Sequence, residues 1–298
     1  MRTTKRFTPN VLDRFKKQGR GLGTQQNFKP WHRVGRGDPS SIGRSHLQMW
    51  DGRQREVLSD KEWTGLFFAV SLPNLFDVLE QYPLSHAAAA HELSKYMVDA
   101  SQTTYPGTIE LAERLGIKHP KTSASGNSVE WVMSTDLLLV LRSPSGKFEL
   151  LAVSIKTDED FSKKRTKELL NLEREYWISR GITWLLITPS LYDKQVGLRL
   201  RDTMPWAIEH LLCEDDLVTA ATVATELQGR SLTHVLEILR AKFGGLDYAQ
   251  RAFWQAVWCG KIPLDLRRGW RPHIPITLLS DEEFIGLNPI ASRRSSWI

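Results

Sequence analysis

The sequence predicts an α/β protein, a mixed sheet flanked by helices and followed by a smaller, mainly helical domain. Three observations carry this. Between residues 129 and 188 the apolar pattern reads strand, turn, strand, long helix, apolar strand, the order that builds a mixed sheet. After about residue 190 the pattern changes to a succession of short helical segments. The 298 residues, 41% hydrophobic and 25% charged, have a globular composition and suffice for one large domain or two ordinary ones.

The elements follow in chain order. Residues 1–58 read as irregular, punctuated by Gly19, Gly21, Gly23, Pro30, Gly35, Gly37, Pro39 and Gly43. The aromatic residues Phe28, Trp31, His32 and Trp50 interleave with the bases there, so the segment is expected to wrap a folded body or a ligand. A helix starts at Ser59-Asp60-Lys61-Glu62, with Ser59 as N-cap and Glu62 in the capping-box position, and ends before Pro73. Phe76–Leu84 is a strand, Ala87–Val98 an Ala-rich helix, and Thr108–Leu115 a helix closed by Gly116. Val129–Leu141 is a strand, Ser143–Gly146 a turn and Phe148–Lys156 the returning strand. Phe161–Arg180 is a long helix and Ile182–Thr188 an apolar strand stopped by Pro189. Met204–Cys213, Asp216–Leu227, Leu232–Phe243 and Tyr248–Cys259 are short helices. Ile262–Leu266 and Ile274–Leu279 are closing strands of a β-wing, and Ala291–Ile298 is a loose tail.

Charge is unevenly distributed. The chain carries a formal +6, but residues 1–58 hold 13 Lys and Arg against 4 acids, a local +9, and the rest is slightly acidic at −3. Such asymmetry points to a polyanion, most simply nucleic acid, against the plainer alternative of a solubilising arm. The longest apolar runs, such as Leu137–Leu141, are far short of a membrane span. No secretory h-region is present, and the two cysteines, Cys213 and Cys259, form no CxxC. A cytoplasmic protein without disulfides or structural zinc is expected.

One constellation carries chemistry. Asp136 stands in an apolar strand, followed directly by five aliphatic residues, where an unpaired carboxylate is expensive. Lys156 follows the apolar run Leu151–Ile155 of the returning strand, and a hairpin brings the two to one end. Ser154 and Lys156, two apart, are expected to share a face. Glu62 opens the preceding helix. Acidic oxygens with a backbone carbonyl, here that of Ile155, suit a hard divalent cation, and a nearby lysine suits an attacking water or a developing phosphoryl charge. Such a group suits phosphodiester hydrolysis. A buried Asp136–Lys156 ion pair and a purely capping Glu62 are the alternatives that the residues alone leave open.

Several words add a resemblance. Pro39–His46 (PSSIGRSH), Leu58–Glu62 (LSDKE), Glu80–Leu84 (EQYPL), Gly116–Pro120 (GIKHP), Val132–Asp136 (VMSTD) and Leu172–Trp177 (LEREYW) occur in this order. Together with the Asp136…Ser154-Ile155-Lys156 pair, they resemble the TnsA endonuclease family of heteromeric cut-and-paste transposons, within the PD-(D/E)xK restriction-endonuclease-like superfamily. The resemblance runs from about Gly19 to Ile187.

The resemblance implies a restriction-endonuclease-like mixed sheet at 59–189, a basic N-terminal arm at 1–58 packed on it, and a winged-helix-like partner-binding domain at 190–298. It implies Glu62, Asp136 and Lys156 as catalytic, with Glu62, Asp136 and the Ile155 carbonyl holding one or two Mg²⁺, for which Mn²⁺ can substitute. Ser154 and Glu173 are supporting residues, and Ser154 departs from the Gln, Asp or Glu usual at its position. Arg44, His46, Lys118 and His119 are DNA or partner contacts, His119 being read as a loop residue rather than a base. The implied activity is 5′-strand hydrolysis at transposon ends, with end DNA, a DDE-type transposase and an AAA+ ATPase regulator as partners, no membrane, and little activity from the chain alone. A stand-alone restriction- or repair-type nuclease and a non-catalytic DNA-binding adaptor are the alternatives. Trp31 and Trp50 serve packing or DNA contact, Trp184 and Trp206 the core. Arg267, Arg268, Trp270 and Arg271 either track phosphates in a β-wing or form a solvated turn.

Overall fold

A computed structural model of the chain describes residues 7–35, 38, 44–97, 103–268 and 271–297. The chain divides into two compact units. One comprises Met1–Trp63, Asn74–Leu186 and Trp297, the other Thr64–Pro73 and Ile187–Ser296.

The first unit opens with helix α1 (Pro9–Lys17). The Thr8 hydroxyl caps it by accepting from the Val11 N–H, Pro9 sits where its missing N–H is harmless, and Leu12 and Phe15 are buried. Residues 46–57, expected to be irregular, form a hairpin, β1 (His46–Trp50) and β2 (Arg53–Val57). Its two-residue loop is Asp51-Gly52, both at positive φ (49° and 70°), the geometry that matches the twist of the flanking strands. That Asp-Gly signal is in the sequence and is outweighed there by the surrounding glycines.

Helix α2 (Asp60–Val70) leads to β3 (Leu75–Pro83). The Ala-rich helix expected at 87–98 is absent over its described residues. Ala89–Ala90 form β4, paired with β5 (Thr104–Tyr105), and Glu92–Lys95 make one 3₁₀ turn; Val98 lies outside the described residues. Tertiary anchors override the propensity of alanine here: Glu92 accepts from the Tyr176 hydroxyl (2.9 Å), and the Tyr96 hydroxyl donates to Asp77 (2.7 Å).

Helix α3 (Thr108–Arg114) is followed by the hairpin β6 (Lys121–Ala124) and β7 (Asn127–Glu130), then β8 (Ser134–Arg142) and β9 (Phe148–Ile155). The single strand expected over Val129–Leu141 is thus two, interrupted at 131–133. The long helix expected over Phe161–Arg180 is α4 (Asp158–Ser162) and α5 (Lys164–Ile178), separated by Lys163 in an extended conformation. Strand β10 (Thr183–Ile187) completes the sheet, whose order is β10-β9-β8-β3. β3/β8 and β8/β9 are antiparallel; β9 reaches β10 through α5, the crossover that parallel neighbours require, and the sheet is mixed. Leu79, Leu138, Val140, Leu150 and Ala152 form one apolar cluster with Leu170, Leu172, Tyr176 and Trp177 of α5. Trp297, in the tail expected to be loose, packs on Phe161 and Trp184 at ring distances of 5.9 and 5.7 Å.

In the second unit, α6 (Lys194–Ala207), α7 (Glu214–Glu226) and α8 (Leu232–Phe243) each pack on the largely buried α9 (Leu246–Trp258), and α10 (Asp281–Leu287) follows. The first of these begins ten residues before the expected Met204 and ends at Ala207. The expected β-wing strands are reduced, among the described residues, to isolated bridges at Ser231–Pro275 and Leu264–Leu278.

Candidate active site

β3, β8 and β9 end together: Pro83 is opposite Ser134, Tyr82 opposite Thr135, and Val153 opposite Leu137. Strict alternation fails at this end. Leu79 and Tyr82, three apart, both enter the apolar cluster that faces α5. Between them Gln81 adopts φ 50°, a left-handed conformation rare for a non-glycine residue and costing about 1–2 kcal/mol. On β8, likewise, Leu138 belongs to that cluster while the Thr135 hydroxyl, again three residues away, donates to Glu173 of α5. The result frees Gln81 and Asp136 to meet a carboxylate from outside the sheet.

That carboxylate is Glu62. The Ser59 hydroxyl accepts from the Glu62 N–H (3.2 Å), and Glu62 in turn accepts from the Ser59 hydroxyl (3.2 Å) and the Leu58 N–H (2.9 Å). The capping arrangement is therefore real. It holds the carboxylate, 9% exposed, beside Gln81, whose Nε2 donates to Glu62 Oε2 (3.0 Å) and lies 3.5 Å from Asp136 Oδ1. Asp136 Oδ2 accepts from both the Ile155 N–H and Lys156 Nζ, each at 2.7 Å. Capping and site-building are the same geometry for Glu62.

The electrostatics follow from burial. Desolvation and the neighbouring Asp136 charge push the Glu62 carboxyl up to about 7, and do the same to Glu173. Burial pulls the Lys156 ammonium down, but Asp136, Glu173 and Glu62 outweigh it and hold its proton more tightly than usual.

Ser154 does not share the orientation of Lys156. Fully buried, it keeps the alternation of Leu150 and Ala152 toward α5, donates to Glu173 Oε1 (2.5 Å) and accepts from Trp184 Nε1 (3.1 Å). Glu173 also accepts from Thr135 (2.7 Å), so these two residues tie α5 to the ends of β8 and β9 behind Asp136.

The expected contact residues divide. Arg44 and His46 both converge on Asp60, at 3.2 and 2.8 Å, and His46 stacks on Trp63 at 4.1 Å. Of the Pro39–His46 word only Arg44, Ser45 and His46 lie within the described residues. The Lys118 side chain is exposed. His119 is not available for DNA: it is 8% exposed, with Nε2 on Thr108 (3.0 Å) and Nδ1 on Glu130 (2.9 Å). Trp31 is buried with Leu12, Phe15 and Val132, so its aromatic ring is packing. Trp50 carries the Arg55 guanidinium over its ring (4.6 Å). Trp184 is buried and Trp206 half-buried. Arg267 is paired with Asp265, and Arg268 donates to the Pro275 carbonyl; Trp270 lies outside the described residues.

The basic N-terminal segment is partly neutralised by acids that lie far along the chain. Arg53 donates to both oxygens of Glu80, and the fully buried Arg55 lies 3.7 Å from Asp77 and 3.8 Å from Glu80. Arg20 pairs with Asp38 and Arg33 with Glu56. Lys16, Lys17 and Lys29 remain exposed. Nothing in the strand-like run Glu80–Leu84 signals the left-handed conformation of Gln81 or its place beside Glu62.

Two comparisons bear on identity. Residues 95–189 match the family described as TnsA-like endonuclease N terminal, a stretch that contains Asp136, Ser154, Lys156 and Glu173. The chain is 29% identical over 235 residues to the Escherichia coli protein described as transposon Tn7 transposition protein TnsA, covering 78% of this chain and 72% of that protein. With the mixed sheet and the convergent acid–lysine end, these matches make the chain similar to TnsA-type endonucleases.

Proposed function

We propose that this chain is a metal-dependent DNA endonuclease that hydrolyses the 5′ strand at transposon ends during cut-and-paste transposition, acting in the cytoplasm with a DDE-type transposase and an AAA+ ATPase regulator. The observation that carries the reading is the convergence of Glu62, Asp136 and Lys156 on one end of three strands, with the two acids joined through Gln81.

The donor set fits a hard cation. Glu62 and Asp136 crowd two carboxylates into a desolvated space, where Asp136 helps to push the Glu62 carboxyl up to about 7; a divalent cation relieves that repulsion. Extended backbone places the N–H and C=O of one residue on the same side of a strand, so the Ile155 carbonyl lies on the side of β8 as its N–H does. Among the described residues no group of three or more His, Cys, Asp and Glu is arranged to hold a metal. With Ser154 turned toward Glu173, Glu62, Asp136 and the Ile155 carbonyl support one ion rather than two. When bound, Mg²⁺ or Mn²⁺ would polarise the scissile phosphate and acidify a water.

The remaining work falls to this chain's residues. Lys156, kept charged by Asp136 and Glu173, orients a phosphoryl oxygen or the attacking water and offsets charge that grows in the transition state. Exposed Lys16, Lys17, Lys29 and Arg44 supply cations for the phosphate backbone.

The test uses the full chain with both partner proteins, Mg²⁺ and end DNA. Asp136→Ala and Lys156→Ala are expected to abolish 5′-strand cleavage while 3′-strand cleavage by the transposase persists. Either variant cutting at the parental rate overturns the site. Vigorous cutting of duplex DNA by the lone chain would instead favour a stand-alone nuclease. Absence of any Asp136-dependent cation binding would favour an adaptor.

A further inference from the structure

We infer that Gln81 is a positioning residue of the proposed cation site, holding Glu62 and Asp136 at the separation a shared divalent ion requires. The inference rests on the functional reading above and adds to it a residue that is neither acid nor base.

Four observations converge on Gln81. It is 3% exposed and sits at φ 50°, so the fold tolerates a strained backbone there. Its Nε2 faces two carboxylates, 3.0 Å from Glu62 and 3.5 Å from Asp136, while its Oε1 accepts from the Ser134 hydroxyl (3.3 Å). The amide is oriented by its partners: with the oxygen on the Ser134 hydroxyl, the nitrogen faces the carboxylates. Its main-chain carbonyl accepts from the Trp31 N–H (3.1 Å), which clamps the strained residue from the N-terminal segment. Next along β3, Tyr82 stacks on Phe28 (6.1 Å), and Pro83 lies so close to Gly21 that a Cβ there would meet it at 2.2 Å. The segment 21–31 thus braces Gln81 and the two residues that follow it.

The consequence is a division of labour. Without a cation, the amide N–H groups lie between the two carboxyl groups and hold them in place. With one, they remain outer partners that fix the direction of each carboxylate, a role whose loss typically costs 10–100-fold in metal affinity.

Gln81→Gly tests positioning without backbone strain, because glycine adopts φ 50° without penalty while the whole side chain, amide included, is removed. Manganese titration calorimetry of the full chain, without DNA, is the readout, beside the thermal midpoint. The expected result is a Gln81→Gly variant that still unfolds cooperatively, with Mn²⁺ affinity reduced about tenfold or more. Should the glycine variant fail to fold, Gln81→Asn, which tolerates the same φ but is one methylene too short to span both acids, is expected to show the same loss. Parental Mn²⁺ affinity in a folded Gln81 variant, with Asp136→Ala defective, overturns the inference and leaves the site standing. Unchanged binding in Asp136→Ala overturns the site reading, and this inference with it.

Discussion

Lys156 Nζ lies 2.7 Å from Asp136 Oδ2, the same oxygen that accepts the Ile155 N–H at 2.7 Å. One carboxylate oxygen therefore takes a side-chain and a main-chain donor from consecutive residues of the neighbouring strand. This locks the direction of Asp136 and directs its other oxygen toward Gln81.

Removing the cation from this pair should cost stability as well as activity. Asp136 is 7% exposed, so Lys156→Met would leave a buried carboxylate with only neutral partners. The expected loss is about 2–4 kcal/mol, measured by denaturant unfolding. Lys156→Arg keeps the charge and should recover most of the stability but not cleavage, because the guanidinium cannot reproduce a point charge on a flexible stem.

The cap of α2 can be tested apart from the chemistry. Ser59→Ala removes the acceptor for the Glu62 N–H and one donor to its carboxylate. It should cost about 1 kcal/mol in thermal unfolding. Cleavage should fall only modestly, since the Leu58 N–H and Gln81 still hold the carboxylate.

Stability should also depend on pH with a definite sign. Glu173 is pushed up to about 7 by burial and by Asp136, against an ordinary value of 4.5. In that window the folded state binds a proton that the unfolded chain has released. Its stabilising contribution is complete below about pH 4.5 and is lost as pH rises through about 7. Glu173→Gln, neutral throughout, should flatten the fall in unfolding free energy between these limits by on the order of 1–3 kcal/mol.

The positive charge of the N-terminal segment divides into two kinds. Arg53 is spent on Glu80, so Arg53→Met should destabilise the fold by about 3–5 kcal/mol and leave the salt dependence of DNA binding unchanged. Lys16→Ala combined with Lys17→Ala removes exposed cations of α1. That pair should preserve the thermal midpoint and reduce the slope of log affinity against log salt by about 2 for duplex DNA.

Much of the fold is legible in the sequence where local chemistry is unambiguous. Leu232–Phe243 has Ser231 as cap and Gly244 in the left-handed position after it, and its bounds are the ones expected. β3, α3 and β10 lie within a residue or two of expectation for the same reason, an apolar period that agrees with a terminating Pro or Gly, and β9 does so from its apolar run after the turn at Gly146. Ala87–Val98 reads as a helix because alanine favours one in isolation, whereas in the fold Glu92 and Tyr96 are bound elsewhere. His119 is a loop residue beside a proline, as expected; its burial depends on Thr108 and Glu130, each eleven residues away, and is not local.

By itself the sequence determined that Glu62 caps a helix and that Asp136 and Lys156 end adjacent strands, since capping and alternation are local and periodic. Only the tertiary structure decided which polar groups face one another there. It turned Ser154 toward Glu173, brought Arg53 and Arg55 onto acids of β3, and placed the amide of Gln81 between two carboxylates. The physical reason is that each of these rests on a single backbone conformation or on a pairing across 19 to 55 positions. Periodicity records neither, and the energy that selects them comes from packing elsewhere.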